Sequence, residues 1–214
     1  MSEGTAEANE PVQRTGFTCE TSVEQEKAQP KRMSLCRARN EENHIMRYHN
    51  ITKDDMLNGD GLRVVLWVAG CNHCCRECQN PITWDPDGGL PFDEAAKQEI
   101  FEQLDKDYIS GITFSGGDPL YPGNRMEVRE FMAQIKEKYP NKTIWLYTGD
   151  SWENILYYPM MQYVDVVVDG EFHAEEKDVK LLWKGSKNQR VIDVRKTLSQ
   201  PDPSVPVLHC PDYM

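Results

Sequence analysis

Three cysteines of this chain have a spacing that suits the binding of a single metal centre. Cys71, Cys75 and Cys78 follow the pattern C-x-x-x-C-x-x-C, so their thiolates can converge on one point. Iron–sulfur clusters are normally held by four cysteines, and a loop with three would leave one iron without a protein ligand. An open coordination position of this kind distinguishes reactive metal sites from structural ones. The cysteine count therefore predicts chemistry at the metal.

The fourth cysteine of the loop, Cys74, leaves an alternative open. Cys71 with Cys74, and Cys75 with Cys78, form two C-x-x-C pairs, so that His73 or Cys74 could complete a zinc site. Zinc sites usually separate the two pairs by a spacer, which is missing here. We expect Cys74 to be a small buried thiol rather than a ligand. Cysteines this close together cannot cross-link distant segments, which favours a metal over disulfides.

The composition indicates one domain of medium size. The chain has 214 residues, of which 39% are hydrophobic, and this is enough for a substantial core. The formal net charge is -11, and such a surface repels phosphate backbones, which argues against nucleic-acid binding. The sequence contains neither a signal peptide nor a run of about 18 apolar residues that could span a membrane. We therefore expect a soluble cytoplasmic protein without a membrane or nucleic-acid partner.

The chain divides into three parts. Residues 1–45 are polar and lack periodicity, which predicts a disordered N-terminal extension. Residues 46–198 form the predicted folded domain. Residues 199–214 contain four prolines, which predicts an irregular tail.

Apolar runs and amphipathic stretches alternate along the domain. Runs that favour strands lie at 62–68, 111–114, 143–148, 164–168 and 189–195. Stretches that favour helices lie at 93–104, 124–138 and 151–163. This alternation indicates an α/β fold with a parallel sheet. Parallel sheets carry ligands at the carboxyl ends of their strands, where the cysteine loop, the turn at 116–118 and the turn at 148–149 would meet.

The motifs along the domain resemble those of a known family. The cysteine loop and Gly116-Gly117-Asp118 are similar to the two central motifs of the radical S-adenosylmethionine enzymes. Four further segments narrow the resemblance. They are Asn58-Gly59-Asp60-Gly61, Tyr147-Thr148-Gly149, Asp169-Gly170 and Leu182-Trp183-Lys184-Gly185-Ser186-x-Asn188-Gln189-Arg190. Over about 46–198, this series resembles the activating proteins of anaerobic (class III) ribonucleoside-triphosphate reductases.

The resemblance implies a fold, a reaction and partners. The fold would be a partial, TIM-like barrel of the radical S-adenosylmethionine type, because the domain is short for a full barrel of roughly 250 residues. One [4Fe-4S] cluster, held by Cys71, Cys75 and Cys78, would cleave S-adenosylmethionine reductively to a 5′-deoxyadenosyl radical. That radical would create a glycyl radical on the anaerobic ribonucleotide reductase, with a flavodoxin-like protein as electron donor. No side chain beyond the cluster and S-adenosylmethionine is expected to be catalytic.

The predicted contacts to S-adenosylmethionine combine physical reasoning with this resemblance. The iron without a protein ligand could bind the amine and carboxylate of the methionyl group. Carbonyl groups at Ser115, Gly116 and Gly117 could approach closely because glycine lacks a side chain. Asp118 could accept a hydrogen bond or shape the turn, and Thr148 could bond the ribose. By resemblance, Glu77 and Gln79 beside Cys78 would face the adenosine.

Other functions stay open at this point. The protein could activate another glycyl-radical enzyme of the pyruvate formate-lyase type, or act as a radical enzyme on a small molecule. It could instead be a non-catalytic iron–sulfur electron carrier or a structural zinc protein. The late segment from Trp183 to Gln189 predicts either a solvated hairpin or a contact with the partner reductase.

Overall fold

Seven strands form a single sheet in the computed structural model, which describes residues 45–211. The strands are β1 (Arg47–Asp55), β2 (Leu62–Val68), β3 (Leu90–Pro91), β4 (Ile109–Gly116), β5 (Thr143–Tyr147), β6 (Val166–Asp169) and β7 (Arg190–Asp193). Their order across the sheet is β3-β1-β2-β4-β5-β6-β7. Within the described residues the sheet stays open, with β3 and β7 at its edges.

The central strands are parallel and the outer ones are not. Strands β2, β4, β5 and β6 run parallel, whereas β1 is antiparallel to both β2 and β3, and β7 is antiparallel to β6. The predicted α/β class is confirmed, but the sheet is mixed rather than wholly parallel. The run at 189–195 does form a strand, and its antiparallel direction corrects the prediction. The chain between β6 and β7 lacks the long crossover helix that a parallel return requires.

Strand β1 was not predicted, because its sequence lacks a clear apolar pattern. Its nine residues read Arg-Tyr-His-Asn-Ile-Thr-Lys-Asp-Asp, and only Ile51 is buried. The strand is held by pairing with β2, which is a long-range contact that local sequence does not encode.

Between residues 45 and 211, four α-helices accompany the strands. They are α1 (Glu94–Leu104), α2 (Arg125–Lys138), α3 (Trp152–Ile155) and α4 (Val194–Leu198). Asp93 caps α1, because its Oδ1 accepts a hydrogen bond of 3.0 Å from the backbone N–H of Ala96. The single helix predicted at 151–163 is instead α3 followed by a 3-10 turn at Pro159–Gln162. Pro159 explains the break, since proline disfavours a helical residue before it.

Alternate side chains of the sheet face two different environments. Along β2, Val64, Leu66 and Val68 belong to the large apolar core that includes side chains of α1 and α2. Arg63 and Trp67 lie at the intervening positions, on the face that we call the inner face. The inner face also carries a smaller cluster of buried residues, namely Trp145, Val166, Val168 and Trp183.

Arg63 is a fully buried cation on the inner face. Its Nε donates to Thr113 Oγ1 at 2.8 Å, and its two Nη atoms donate to Thr143 and to backbone oxygens of Asp60 and Ile112. Burial lowers the pKa of Arg63 to about 10. The side chain thus joins the start of β2 to β4 and β5 through neutral acceptors.

The C-terminal segment packs on the inner face although it has no helix or strand of its own among its described residues after α4. The backbone N–H of His209 donates to Val191 O at 2.8 Å, and its Nε2 lies 2.6 Å from Asp60 Oδ2. Its ring contacts the edge of Trp145, with centroids 5.2 Å apart. The predicted disorder of residues 1–45 concerns positions that, apart from Ile45, lie outside the described residues. In the described part of the chain, every helix is too short or too polar to cross a lipid bilayer.

We predict that Arg63→Lys will destabilise the protein by about 2 to 4 kcal/mol, because a lysine has fewer donors and cannot fork between β4 and β5. Urea unfolding under anaerobic conditions measures the change. Arg76→Lys is the matched control, since the Arg76 side chain is 74% exposed. Equal unfolding midpoints for the two variants would contradict the structural role of Arg63.

Candidate metal and cofactor site

A cavity of about 530 Å³ opens at the carboxyl ends of the parallel strands. The predicted cluster ligands all contribute to its wall, as do most of the predicted cofactor contacts. The residues concerned are Cys71, Cys75, Cys78, Gln79, Ser115, Gly116, Gly117 and Thr148. The structure therefore brings three segments that are far apart in sequence to one concave surface, as expected for a parallel sheet.

Two of the predicted cofactor contacts do not line the cavity. Glu77 is exposed, and its Oε1 lies 3.8 Å from Nε of the neighbouring Arg76. Asp118 is only 3% exposed and lies behind the cavity wall. The cavity therefore supports a direct contact of a ligand with Gln79, Ser115, Gly116, Gly117 and Thr148 more than with either of these two side chains.

The cysteine loop is held in place by its backbone. It begins directly after β2, where the N–H groups of Gly70 and Cys71 donate to Thr83 O and Trp84 O at 2.8 and 3.2 Å. These two acceptors belong to a 3-10 turn at Pro81–Trp84 that follows the loop. The backbone N–H of Asn80 donates to Cys78 Sγ at 3.4 Å, an interaction that stabilises a thiolate.

The thiols of the loop differ in environment. Cys71, Cys75 and Cys78 are free, and burial, together with the charge of Asp118, raises the pKa of Cys71 to about 12. Burial also raises the pKa of Cys75. A thiolate at these positions needs a nearby cation. A bound metal ion is such a cation, and its positive charge deprotonates the thiols that coordinate it. This donor set therefore fits a metal centre.

Cys74 is partly exposed and disulfide-bonded, so the prediction that it is a small buried thiol was wrong. Its backbone has a φ of 49°, in the left-handed region that few side chains adopt. The left-handed residue therefore lies between Cys71 and Cys75 in the loop. Cys74 does not line the cavity.

The carboxylate of Asp118 joins the separate segments of the site. Its Oδ1 accepts from the backbone N–H of Leu120 at 2.7 Å. Its Oδ2 accepts from the Thr148 hydroxyl at 3.0 Å and from the Gly149 N–H at 3.2 Å, and lies 2.6 Å from His73 Nε2. One carboxylate thus links the cysteine loop to the ends of β4 and β5. Of the two predicted roles for Asp118, the structure favours the shaping of the turn.

His73 lies between two carboxylates. Its Nδ1 is 3.1 Å from Glu171 Oε1, opposite the bond to Asp118. Burial alone would lower the pKa of His73, but the hydrogen bonds to Asp118 and Glu171 and the negative charges of Asp118 and Asp150 outweigh it and raise the pKa to about 9. The imidazolium form that follows at neutral pH binds both acids, so His73 fastens the cysteine loop.

Close packing around the contact between Asp118 and His73 requires glycine at two positions. A Cβ at Gly117 would overlap the backbone oxygens of Gly70 and Thr83, and one at Gly149 would lie 2.5 to 2.7 Å from ring atoms of His73. Neither distance is tolerated, so a side chain at either glycine would displace the cysteine loop. Gly117 of the Gly-Gly-Asp turn and Gly149 therefore serve the packing of the protein itself, in addition to any approach of a ligand.

The opposite wall of the cavity was not predicted to be part of the site. It includes Leu57 and Asn58 and much of the segment from Lys177 to Gln189. Within that segment Trp183 is buried against Trp145, with ring centroids 4.9 Å apart. The prediction of a solvated hairpin at 183–189 was therefore wrong, whereas a contact with a partner protein stays a prediction. The sequence feature that could have indicated this wall is a tryptophan within a polar segment, which is typical of a buried anchor.

Comparisons with known proteins agree with this site. Residues 57–192 match the family model of the 4Fe-4S single cluster domain. The chain is 44% identical over 146 residues to an anaerobic ribonucleoside-triphosphate reductase-activating protein of Enterobacteria phage T4, covering 68% of this chain and 93% of that relative. Proteins of the same name are 38% identical over 154 residues in Escherichia coli (strain K12) and 37% over 150 residues in Pasteurella multocida (strain Pm70).

The matches extend over nearly the whole of these relatives. The aligned part is 70% of this chain and 100% of the Escherichia coli protein, and 67% of this chain and 95% of the Pasteurella protein. The range matched by the family model contains every residue that lines the cavity.

We predict that Asp118→Asn will lower the free energy of unfolding by about 1 to 3 kcal/mol, since the amide cannot accept all the bonds that the carboxylate accepts. The looser cysteine loop should also retain less iron after anaerobic reconstitution. Asp107→Asn is the control, because Asp107 is an exposed carboxylate before β4, at the opposite end of that strand from Asp118. The same iron content and stability in both variants would show that Asp118 does not organise the loop.

We predict that Cys71→Ala, Cys75→Ala and Cys78→Ala will each lose the cluster, because each removes one of three ligands. Cys74→Ala and Cys210→Ala should keep it, since neither residue lines the cavity. Iron and sulfide analysis with the visible absorption spectrum measures the result. A cluster lost with Cys74→Ala, or kept without one of the three, would refute this choice of ligands.

Proposed function

From the membership of this chain in the family of anaerobic ribonucleoside-triphosphate reductase-activating proteins, which its motifs predicted, we propose that it generates a glycyl radical on such a reductase. The radical would arise by reductive cleavage of S-adenosylmethionine at a [4Fe-4S] cluster. The protein would then be an oxidoreductase of the radical S-adenosylmethionine class, with the corresponding domain at 46–198. A flavodoxin-like protein would be the electron donor, and the cytoplasm, where thiols stay reduced, would be its location.

One observation carries the proposal. The three free thiols of the C-x-x-x-C-x-x-C loop and the Ser115-Gly116-Gly117 turn line the same cavity. A structural metal site would need neither an adjoining cavity nor an open coordination position. A carrier of electrons would need the cluster but not a cavity of about 530 Å³ beside it, which has the size of a small-molecule site.

The residues present fit the cluster. Cys71, Cys75 and Cys78 would hold it, and the raised pKa of Cys71 indicates a thiol that ionises only beside a cation. The Asn80 N–H already donates to Cys78 Sγ, and hydrogen bonds to cluster sulfurs are one means by which proteins tune the reduction potential.

The chain also offers groups for S-adenosylmethionine. Gln79, Ser115, Gly116 and Gly117 would contact it from the wall that carries the cysteines, as predicted. The Thr148 hydroxyl already donates to Asp118, so a bond to the ribose would use its remaining acceptor capacity. Glu77 would need to turn toward the cavity, and Asp118 would act through His73, Thr148 and Gly149.

Held by Cys71, Cys75 and Cys78, a reduced cluster would supply one electron for the cleavage of S-adenosylmethionine into methionine and a 5′-deoxyadenosyl radical, which would take a hydrogen atom from a glycine Cα of the reductase. The chain's own contribution is position. Asp118 and His73 fix the cysteine loop against the ends of β4 and β5. The buried Trp183 is part of the cavity wall and would exclude water from its side of the site, which would protect a radical from side reactions.

The open sheet suits a large substrate. We take it as the incomplete, TIM-like barrel that the resemblance implies, with parallel strands β2, β4, β5 and β6 as its core. An open side leaves room for a backbone loop of another protein to approach the carboxyl ends of the strands. This feature supports the reductase as substrate over a small molecule.

We predict that anaerobic incubation of the full chain with the reductase, a reductant and S-adenosylmethionine will give a glycyl-radical doublet in electron paramagnetic resonance. The amount of 5′-deoxyadenosine should match the radical, because each cleavage removes one hydrogen atom. Cys78→Ala should give neither product, and Cys210→Ala should give both. Formation of 5′-deoxyadenosine without a doublet would contradict the partner, and the absence of both would contradict the reaction class.

A further inference from the structure

Tyr147 has a buried hydroxyl without a hydrogen-bond partner among residues 45–211. A buried hydroxyl that lacks a partner costs about 1 to 3 kcal/mol, so folded proteins rarely retain one without a reason. Tyr147 is also one of the residues that line the cavity. Tyr147 is therefore part of the wall of the site, and its hydroxyl is a buried donor within that wall.

The position of Tyr147 keeps its ring rigid. It is the last residue of β5 and directly precedes Thr148, which donates to Asp118. Its ring packs against the inner-face cluster that contains Trp145 and Trp183. Because backbone and ring are both held, the hydroxyl is fixed in advance of binding, as a recognition group should be.

The surroundings favour an oxygen acceptor. Burial raises the pKa of Tyr147, so the phenol keeps its proton and can donate. Two charges act on the phenol, the positive charge of the buried Arg63 guanidinium and the smaller influence of the negative Asp55. The positive charge of Arg63 favours a partially or fully negative group beside the hydroxyl. Trp67 and Trp183 line the same cavity, but an indole ring has an N–H donor and no acceptor. Neither side chain can therefore accept a hydrogen bond from the Tyr147 hydroxyl.

We propose that the Tyr147 hydroxyl donates a hydrogen bond to a carbonyl or carboxylate oxygen of a ligand bound in the cavity. Two ligands carry such an oxygen if the proposed function is right, and the inference rests on that function to this extent. One is the methionyl carboxylate of S-adenosylmethionine. The other is a backbone carbonyl beside the target glycine of the reductase. Tyr147 would be a ligand-binding residue in both cases.

Tyr147→Phe tests the proposal, because it removes the hydroxyl and preserves the ring. Without ligand, the melting temperature of the anaerobically reconstituted variant should equal or exceed that of the parent, since an unsatisfied donor has been removed. Binding should weaken by about 2- to 10-fold, the loss expected for one hydrogen bond. This combination separates a binding role from a structural one, which would lower the melting temperature.

Two binding measurements distinguish the source of the oxygen. Weaker affinity for S-adenosylmethionine, measured by equilibrium dialysis, would identify the methionyl carboxylate. Unchanged affinity with a higher Michaelis constant for the reductase in glycyl-radical formation would identify the peptide carbonyl. Unchanged values in both assays, or a lower melting temperature without ligand, would overturn the inference.

Two control variants calibrate these results. Tyr157→Phe removes a hydroxyl from a side chain that is 83% exposed and should change neither stability nor binding. Tyr139→Phe removes a hydroxyl that donates to Asp105 Oδ1 at 2.6 Å and should lower the melting temperature alone. Failure of the proposed function would appear in the parent protein, as an absence of S-adenosylmethionine binding, whereas failure of this inference appears only in the comparison with Tyr147→Phe.

Discussion

The site depends on one buried carboxylate, because Asp118 is the only group among the described residues that bonds the cysteine loop, the turn after β4 and the turn after β5 together. The parallel strands bring these turns to one edge of the sheet, but strand pairing alone does not define the spacing of loops beyond it. Asp118 does so through bonds to a histidine, a hydroxyl and two backbone N–H groups. Charged hydrogen bonds of this kind are stronger in a buried environment than at the surface.

One face of the sheet mainly contributes stability, and the inner face contributes to the site. The face that includes Val64 and Leu66 belongs to the main core and could be replaced by other apolar residues of similar volume. The inner face instead contains the buried side chains of Arg63 and Trp145 and the unpaired hydroxyl of Tyr147. Buried polar groups cost stability unless they are satisfied. Their concentration on one face indicates that this face is shaped by what binds there.

Much of the fold can be predicted from local sequence, and the exceptions have physical causes. The run at 62–68 coincides with β2 and the cap at Asp93 with the start of α1, because apolar patterning and capping are local properties. The formation of strand β1 and the direction of β7 depend on pairing with strands that are distant in sequence. Local sequence does not encode such pairing. The cysteines and the Ser115-Gly116-Gly117 turn could be predicted as site residues from type and spacing. The Trp183 wall could not, since its contact with Trp145 bridges segments far apart in sequence.

The aromatic lining of the cavity gives the protein an intrinsic optical reporter. Three of its five tryptophans, Trp67, Trp84 and Trp183, line the cavity, and a fourth, Trp145, is in ring contact with Trp183. Iron–sulfur clusters absorb broadly in the wavelength range where indole rings emit. Energy transfer over such short separations is efficient, so the emission of this chain should follow the occupancy of the cavity directly, without any attached dye.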